Sequence, residues 1–257
     1  MLTVSECERY LQRIGYVGGV TPSIGNLQQL MVAHLTHIPF ETVRLHRSGI
    51  EPDLDVGVLY ERVVERGQGG YCFELNKLFQ ELLTSLGYEV RAAMARSTDT
   101  PGRVDPINHR GLIVYLDGKD HCADVGYGGP MPAHPLPLEV GTHAILGSDF
   151  IVERPREGWW VIDRISSKGA RAGLMELSTF RVNEEDFDPL NAFCASVGSE
   201  FRDSEMANIR TRGGSVSLLD GKLTIRDQGC VHEMRLADEE LEAALKRYFG
   251  LDYRFMR

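Results

Sequence analysis

The residues with the most obvious chemical potential lie in one short run, Arg66-Gly67-Gln68-Gly69-Gly70-Tyr71-Cys72-Phe73-Glu74-Leu75-Asn76. A single cysteine follows a glycine turn and precedes an amphipathic stretch. In that stretch Phe73, Leu75, Leu78, Phe79, Leu82, Leu83 and Leu86 fall largely on one helical face, and Gly87 supplies a stop. Cys72 is therefore expected in the first turn of a helix, where unpaired N–H groups and the helix dipole favour thiolate over thiol. Gly69 and Gly70 carry no Cβ, so a substrate carbonyl is expected to approach the sulfur closely. The run suits a nucleophile. On spacing alone, a small apolar residue packing a buried helix fits it equally well.

A thiol nucleophile needs an imidazole within hydrogen-bond reach, and the imidazole needs a carboxylate to fix its tautomer. His109 opens the expected strand 110–116, and Asp124 lies in the next, beyond the turn Asp117-Gly118-Lys119-Asp120. A two-residue loop at Asp117-Gly118 sets Asp124 opposite Gly111; a four-residue loop sets it opposite Ile113. Both put Asp124 on the sheet face of His109, whereas a three-residue loop separates them. With the shorter loop the two are diagonal neighbours, within reach of a hydrogen bond. His121 has the wrong parity for that face. His46, His134, His143 and His232 read as surface or core residues. His34 and His37 form an HxxH at helical spacing without a local third ligand, which favours partly buried core histidines over a metal site.

These residues need elements to hold them. Residues 1–87 read as helical, with helices over 6–14, 24–37 (capped by Ser23), 56–65 and 72–86, the second ended by Ile38-Pro39. From 88 to 183 the pattern changes to short strands, over 88–95, 110–116, 121–125, 149–153 and 159–162, which suggests an antiparallel barrel or sandwich. Four prolines make 126–138 a surface loop. Beyond 183 come a helix over 184–197, strands near 215–218, 222–226 and 231–236, and a last helix over 238–248. Domain edges are expected near 87 and 183, on the change of period alone.

Composition limits the alternatives. A net charge of −9 leaves no basic surplus for nucleic acid. No apolar run is long enough to span a bilayer, and no signal segment opens the chain. Five scattered cysteines (7, 72, 122, 194 and 230), with no CxxC pair, suit free thiols in a reducing compartment. A cytoplasmic protein is the expectation. No GxxxxGK[ST] or GxGxxG spacing supports a nucleotide enzyme.

At the residues that carry the chemistry the chain resembles a known family. Ile38-Pro39-Phe40-Glu41, the segment Gly69 to Asn76, Asn108-His109-Arg110, and Ala123-Asp124-Val125-Gly126-Tyr127-Gly128-Gly129 look like the arylamine N-acetyltransferases, in the family's order and at similar spacing. The match covers residues 1–140 well and the remainder loosely. The resemblance implies an α+β fold of helical bundle, antiparallel β-barrel and α/β lid, with a papain-like Cys-His-Asp triad. It implies Cys72 as nucleophile, His109 as general base and acid, and Asp124 as orienting carboxylate. It also implies Phe40 and Tyr127 lining the acceptor pocket. It further implies no permanently bound cofactor, acetyl-coenzyme A as co-substrate, and transfer of the acetyl group to an aromatic amine, hydrazine or hydroxylamine by a ping-pong route.

Two departures stand out. Gln68 replaces an arginine that pairs in the family with the glutamate matched by Glu41, so the ion pair is absent or moved to Arg66. Ala195-Ser196-Val197-Gly198-Ser199 replaces a Thr-His-Pro segment that helps many bacterial members hold the donor. Gly126-Tyr127-Gly128-Gly129 either lets backbone approach the donor pyrophosphate or is a simple turn. A macrolactam-forming amide synthase fed by an acyl carrier protein is the nearest rival, and a cysteine hydrolase or a degenerate binding protein are the others.

Overall fold

The computed structural model describes residues 1–98, 100, 104–166 and 169–252. The chain opens with five helices: α1 (Val4–Arg13), α2 (Ile24–His37), α3 (Val43–Ser48), α4 (Val56–Tyr60) and α5 (Cys72–Ser85). A capping box of Thr3 and Glu6 starts α1 two residues before the expected start. Ser23 caps α2 as expected, accepting from the Asn26 N–H at 3.2 Å. Helix α4 runs on into a π turn, Glu61–Glu65, which widens its end toward the glycine turn. Helix α5 is the central element. Nine of its residues are buried, polar Glu74 and Asn76 among them.

Two antiparallel sheets follow. The larger contains β2 (Glu89–Ser97), β3 (His109–Leu116), β4 (Lys119–Cys122), β5 (Leu136–Pro137), β6 (Gly141–Ile145), β7 (Ser148–Arg156), β8 (Trp159–Ile165) and β9 (Arg171–Ser178), in the order β5-β4-β3-β2-β9-β8-β7-β6. It curls into a nearly closed barrel. The smaller sheet pairs the two-residue β1 (Phe40–Glu41) with β10 (Met206–Thr211), β11 (Gly214–Leu219), β12 (Lys222–Asp227) and β13 (Cys230–Arg235). Short helices α6 (Asp188–Cys194) and α7 (Glu200–Asp203) lead into it, and α8 (Asp238–Phe249) covers it through Leu245 and Phe249. The fold is α+β.

Strand β3 joins these layers because both its faces are buried. Leu112 and Val114 pack on the helices, while Ile113 enters the barrel interior with Phe150, Val152 and Ile162. That two-residue period is what places His109 and Gly111 on the barrel side and Arg110 on the helix side.

The sequence reading needs correction at several points. Strand β4 ends at Cys122 rather than 125, because the Val125 N–H bonds the Asn76 side chain instead of continuing the ladder. Leu136–Pro137 forms an edge strand inside the expected loop, where proline's missing N–H costs nothing. The helix over 184–197 is a 3₁₀ turn (Glu184–Phe187) followed by α6, and it stops at Cys194. Six elements had no reading: α3, β1, β6, β9, α7 and β10.

Candidate active site

Cys72 is the first residue of α5, 1% exposed, with its Sγ 3.9 Å from the Asn108 carbonyl oxygen. The Glu74 carboxylate accepts from the Tyr71 N–H at 3.0 Å and closes the helix start. The preceding glycines do not open a path to the sulfur, contrary to expectation. A Cβ on Gly69 would sit 2.4 Å from the Pro39 carbonyl, and one on Gly70 would sit 2.9 Å from Glu74 Oε2. The space they leave is filled by protein, letting the chain of Pro39–Glu41 lie against the turn. Gly70 N–H donates to the Pro39 carbonyl at 3.3 Å, and Glu41 N–H to the Gly70 carbonyl at 2.8 Å.

The β3–β4 turn is the two-residue loop. Asp117 and Gly118 both have positive φ, and Ile113 pairs with Cys122. Continuing that register brings Asp124 opposite Gly111, where a Cβ would lie 3.7 Å from Asp124 Oδ2. The His109 Nε2 to Asp124 Oδ2 distance is 2.5 Å. The other carboxylate oxygen accepts from the Gly126 N–H at 2.8 Å, so the group is fixed at both ends. The Cys72 sulfur lies near enough to the His109 ring to act on its charge. Burial favours the neutral imidazole, but the charges of Asp124 and Cys72 and their hydrogen bonds outweigh it and raise the His109 pKa to about 10. A thiol, an imidazolium-stabilising environment and a buried carboxylate therefore meet at one point.

Asn76 holds this arrangement, a role the sequence reading missed. Its Nδ2 donates to the Arg110 carbonyl at 2.5 Å and its Oδ1 accepts from the Val125 N–H at 2.9 Å. One side chain thus fixes the residues after His109 and after Asp124. The signal was available, since Asn76 lies four residues after Cys72 and so on the same helix face. Gly126 completes the contact, with a Cβ there falling 2.9 Å from Cys72 Cα.

Phe40 is buried, and its ring covers Gly128, whose φ is +72°. Tyr127 stands edge-on to His109 at 5.5 Å between ring centroids, and its hydroxyl donates to the Leu174 carbonyl at 2.7 Å. Tyr127 thus borders the His109 ring, while Phe40 packs on the loop that follows Asp124. Gly126, Gly128 and Gly129 each face protein atoms rather than open space, which supports the turn over the pyrophosphate loop.

The ion pair expected at Arg66 lies elsewhere. Arg66 pairs with Glu61 at the surface. Arg62, from the π turn, reaches Glu41 at 3.9 Å, bonds the Gly69 carbonyl at 2.5 Å and pairs with Glu74, which Arg44 also meets at 3.0 Å. The buried Glu41 carboxyl is held above its ordinary pKa by burial, against the pull of Arg62. From the C-terminal side, Asn191 of α6 bonds the Tyr71 hydroxyl, and the Cys194 Sγ lies 3.6 Å from the same Asn108 carbonyl that Cys72 approaches. Of the HxxH pair, His34 is fully buried between Tyr10 and Phe79, whereas His37 is exposed.

A family profile described as N-acetyltransferase matches residues 23–256. Proansamycin X synthase of Amycolatopsis mediterranei is 34% identical over 163 residues, 62% of this chain and 62% of that protein's length. Arylamine N-acetyltransferase 2 of Rattus norvegicus is 26% identical over 273 residues, 96% of this chain and 94% of its own. Among solved structures, the Mycobacterium marinum arylamine N-acetyltransferase in complex with CoA superposes with a TM-score of 0.90 at 27% identity, covering 98% of this chain and 94% of that one.

Proposed function

Because the chain belongs to the arylamine N-acetyltransferase family, we propose that it moves an acetyl group from acetyl-coenzyme A to the nitrogen of an arylamine or arylhydrazine, or to the oxygen of an arylhydroxylamine. One observation carries the reading: His109 is buried between the Asp124 carboxylate and the Cys72 sulfur. In the first half-reaction the Cys72 thiolate attacks the thioester carbonyl. The tetrahedral intermediate collapses by breaking the bond to the donor sulfur, and the coenzyme A thiolate leaves with the His109 proton. In the second, the amine attacks acetyl-Cys72, neutral His109 takes its proton, and the thiolate is regenerated. Aromatic amines suit this step because they are unprotonated near neutral pH. No bound cofactor takes part.

Asp124 holds the imidazole in one tautomer, and Phe40 and Tyr127 offer flat apolar faces to an aromatic acceptor. The same reading divides the chain near residues 87 and 183 and assigns it to the cytoplasm. Among the described residues no helix is long and apolar enough to cross a membrane. A second reading, an amide synthase taking a long acyl chain from an acyl carrier protein, is favoured by the 34% identity to proansamycin X synthase.

The test is a single-turnover mixture of purified protein with acetyl-coenzyme A, read by intact mass. The expected result is a gain of one acetyl group, absent in Cys72→Ala and discharged by an aromatic amine. No adduct, from a Cys72 that still alkylates readily, would favour the amide synthase. An inert Cys72 would remove both readings.

A further inference from the structure

Two thiols share one carbonyl beside the triad. The sulfurs of Cys72, the first residue of α5, and Cys194, the last of α6, approach the Asn108 carbonyl oxygen at 3.9 and 3.6 Å. Both residues are 1% exposed and belong to one core cluster, and neither is in a disulfide. Asn191, one turn before Cys194, fixes α6 in place. Its side chain bonds the Tyr71 hydroxyl, and its Nδ2 donates to Glu51 Oε1 at 2.8 Å and to the Pro52 carbonyl at 2.9 Å. The residue before the nucleophile is thereby tied to the helix that carries the second thiol. No step of acyl transfer uses Cys194.

The two thiols differ in charge. Cys72 stands near the His109 imidazolium. The Cys194 pKa is raised by burial first, and then by the negative charge of Cys72. Cys194 therefore keeps its proton as long as Cys72 is a thiolate. The thiolate is the form that a hydroperoxide oxidises. Conversion of Cys72 to a sulfenic acid removes its negative charge, and with it one of the two causes that hold the Cys194 proton. The pair is thus ordered: Cys72 reacts first, and its product frees Cys194 to react second.

We propose that Cys194 is the resolving thiol of Cys72, closing a reversible disulfide that blocks the nucleophile when the protein meets a hydroperoxide. The Cys72 thiolate attacks the terminal peroxide oxygen and the O–O bond breaks. The sulfur is oxidised to a sulfenic acid, and the alkoxide or hydroxide leaves with the His109 proton. Neutral His109 then takes the Cys194 proton, and the Cys194 thiolate attacks the Cys72 sulfur. The S–O bond breaks, and hydroxide leaves as water with that same proton. In sum two thiols are oxidised to a disulfide, and the hydroperoxide is reduced to an alcohol or water and one further water. The crosslink keeps Cys72 from the sulfinic acid, which a dithiol does not reverse, and a dithiol reopens it. The inference rests on the reading of Cys72 as the nucleophile, whatever acyl group it carries.

The test treats the full chain, reduced and then freed of reductant, with hydrogen peroxide beside the Cys194→Ser variant. The unaltered chain is expected to lose two hydrogens in intact mass and to yield a peptide linking Cys72 to Cys194 on digestion without reductant. Dithiothreitol should then restore arylamine acetylation. In Cys194→Ser, Cys72 should gain two oxygens instead, and about fivefold less activity should return. A thermal melt reports whether the variant is folded. Absence of the linked peptide, or a link from Cys72 to the exposed Cys230, would overturn the proposal. So would equal recovery in the folded variant. The linked peptide needs neither a variant nor an acyl donor. A chain that forms it but accepts no acetyl group counts against the transfer reading alone. A chain that is acetylated but forms no Cys72–Cys194 bond counts against this one alone.

Discussion

At the scale of single residues the site depends on one carboxylate overcoming a burial effect. Asp124, with Cys72, keeps His109 charged in a place that favours the neutral ring. Asp124→Asn keeps the shape and removes the charge. The expected outcome is a His109 that titrates within the neutral range by NMR, whereas the unaltered ring stays protonated to about pH 10. Acetyl transfer should fall by about a hundredfold or more in that variant. Gly126 imposes the complementary steric condition. Gly126→Ala puts a methyl group 2.9 Å from Cys72 Cα, so the loop or the helix must shift. Loss of turnover larger than loss of thermal stability, measured on the same preparation, is the expected signature.

At the scale of elements, polar side chains on buried helices hold the site together. Asn76→Ala leaves the Arg110 carbonyl and the Val125 N–H unpaired, a cost of about 2–5 kcal/mol in denaturant unfolding. Arg62→Met removes the cation paired with Glu41, leaving it the Arg44 N–H, and Glu74 keeps Arg44 as its one cation. Glu41 then binds its proton more tightly in the folded state than in the unfolded one. Stability should therefore fall as pH rises above the ordinary carboxylate range, and Glu41→Gln in the same background should recover part of it. Equal stability of Arg62→Met at pH 5 and pH 8 would contradict this. The contrast between Asn76 and Arg62 marks what the sequence can reveal. Helix α5 and the parity of His109 with Asp124 follow from local periodicity, because helix faces and a two-residue hairpin are short-range geometry. Arg62 supplies from a different element the pairing that Gln68 cannot make and that was expected to be absent or moved to Arg66, and no spacing rule links the two. The strands without a reading fail for similar reasons. Arg171–Ser178 is half exposed with a bulge against β8, so its alternation is blurred, and two-residue β1 exists only because β10 lies beside it.

At the scale of the whole molecule, the helical core contains one histidine that acid should find. His34 is fully buried with neither ring nitrogen bonded, and burial lowers its pKa to about 3. The unfolded chain binds a proton at that position below about pH 6.5, while the folded chain does not until about pH 3. Stability is therefore complete above pH 6.5 and declines toward pH 3, by an amount on the order of a few kcal/mol. Denaturant midpoints of His34→Phe and the unaltered chain should converge or cross as pH falls through that window. A constant difference between them would show that other groups govern the acid limb.

The two-residue strand β1 has a consequence in time as well as in space. It pairs with Gly70 on one edge and with β10 on the other, and the Thr42 hydroxyl donates to Ser204, 162 residues further along. A growing chain leaving the ribosome therefore carries Cys72 long before the strand that braces its turn has been made. The turn is among the first parts translated and among the last completed. Nascent chains stalled before residue 206 should show a protease-sensitive glycine turn that becomes resistant only when β10 emerges.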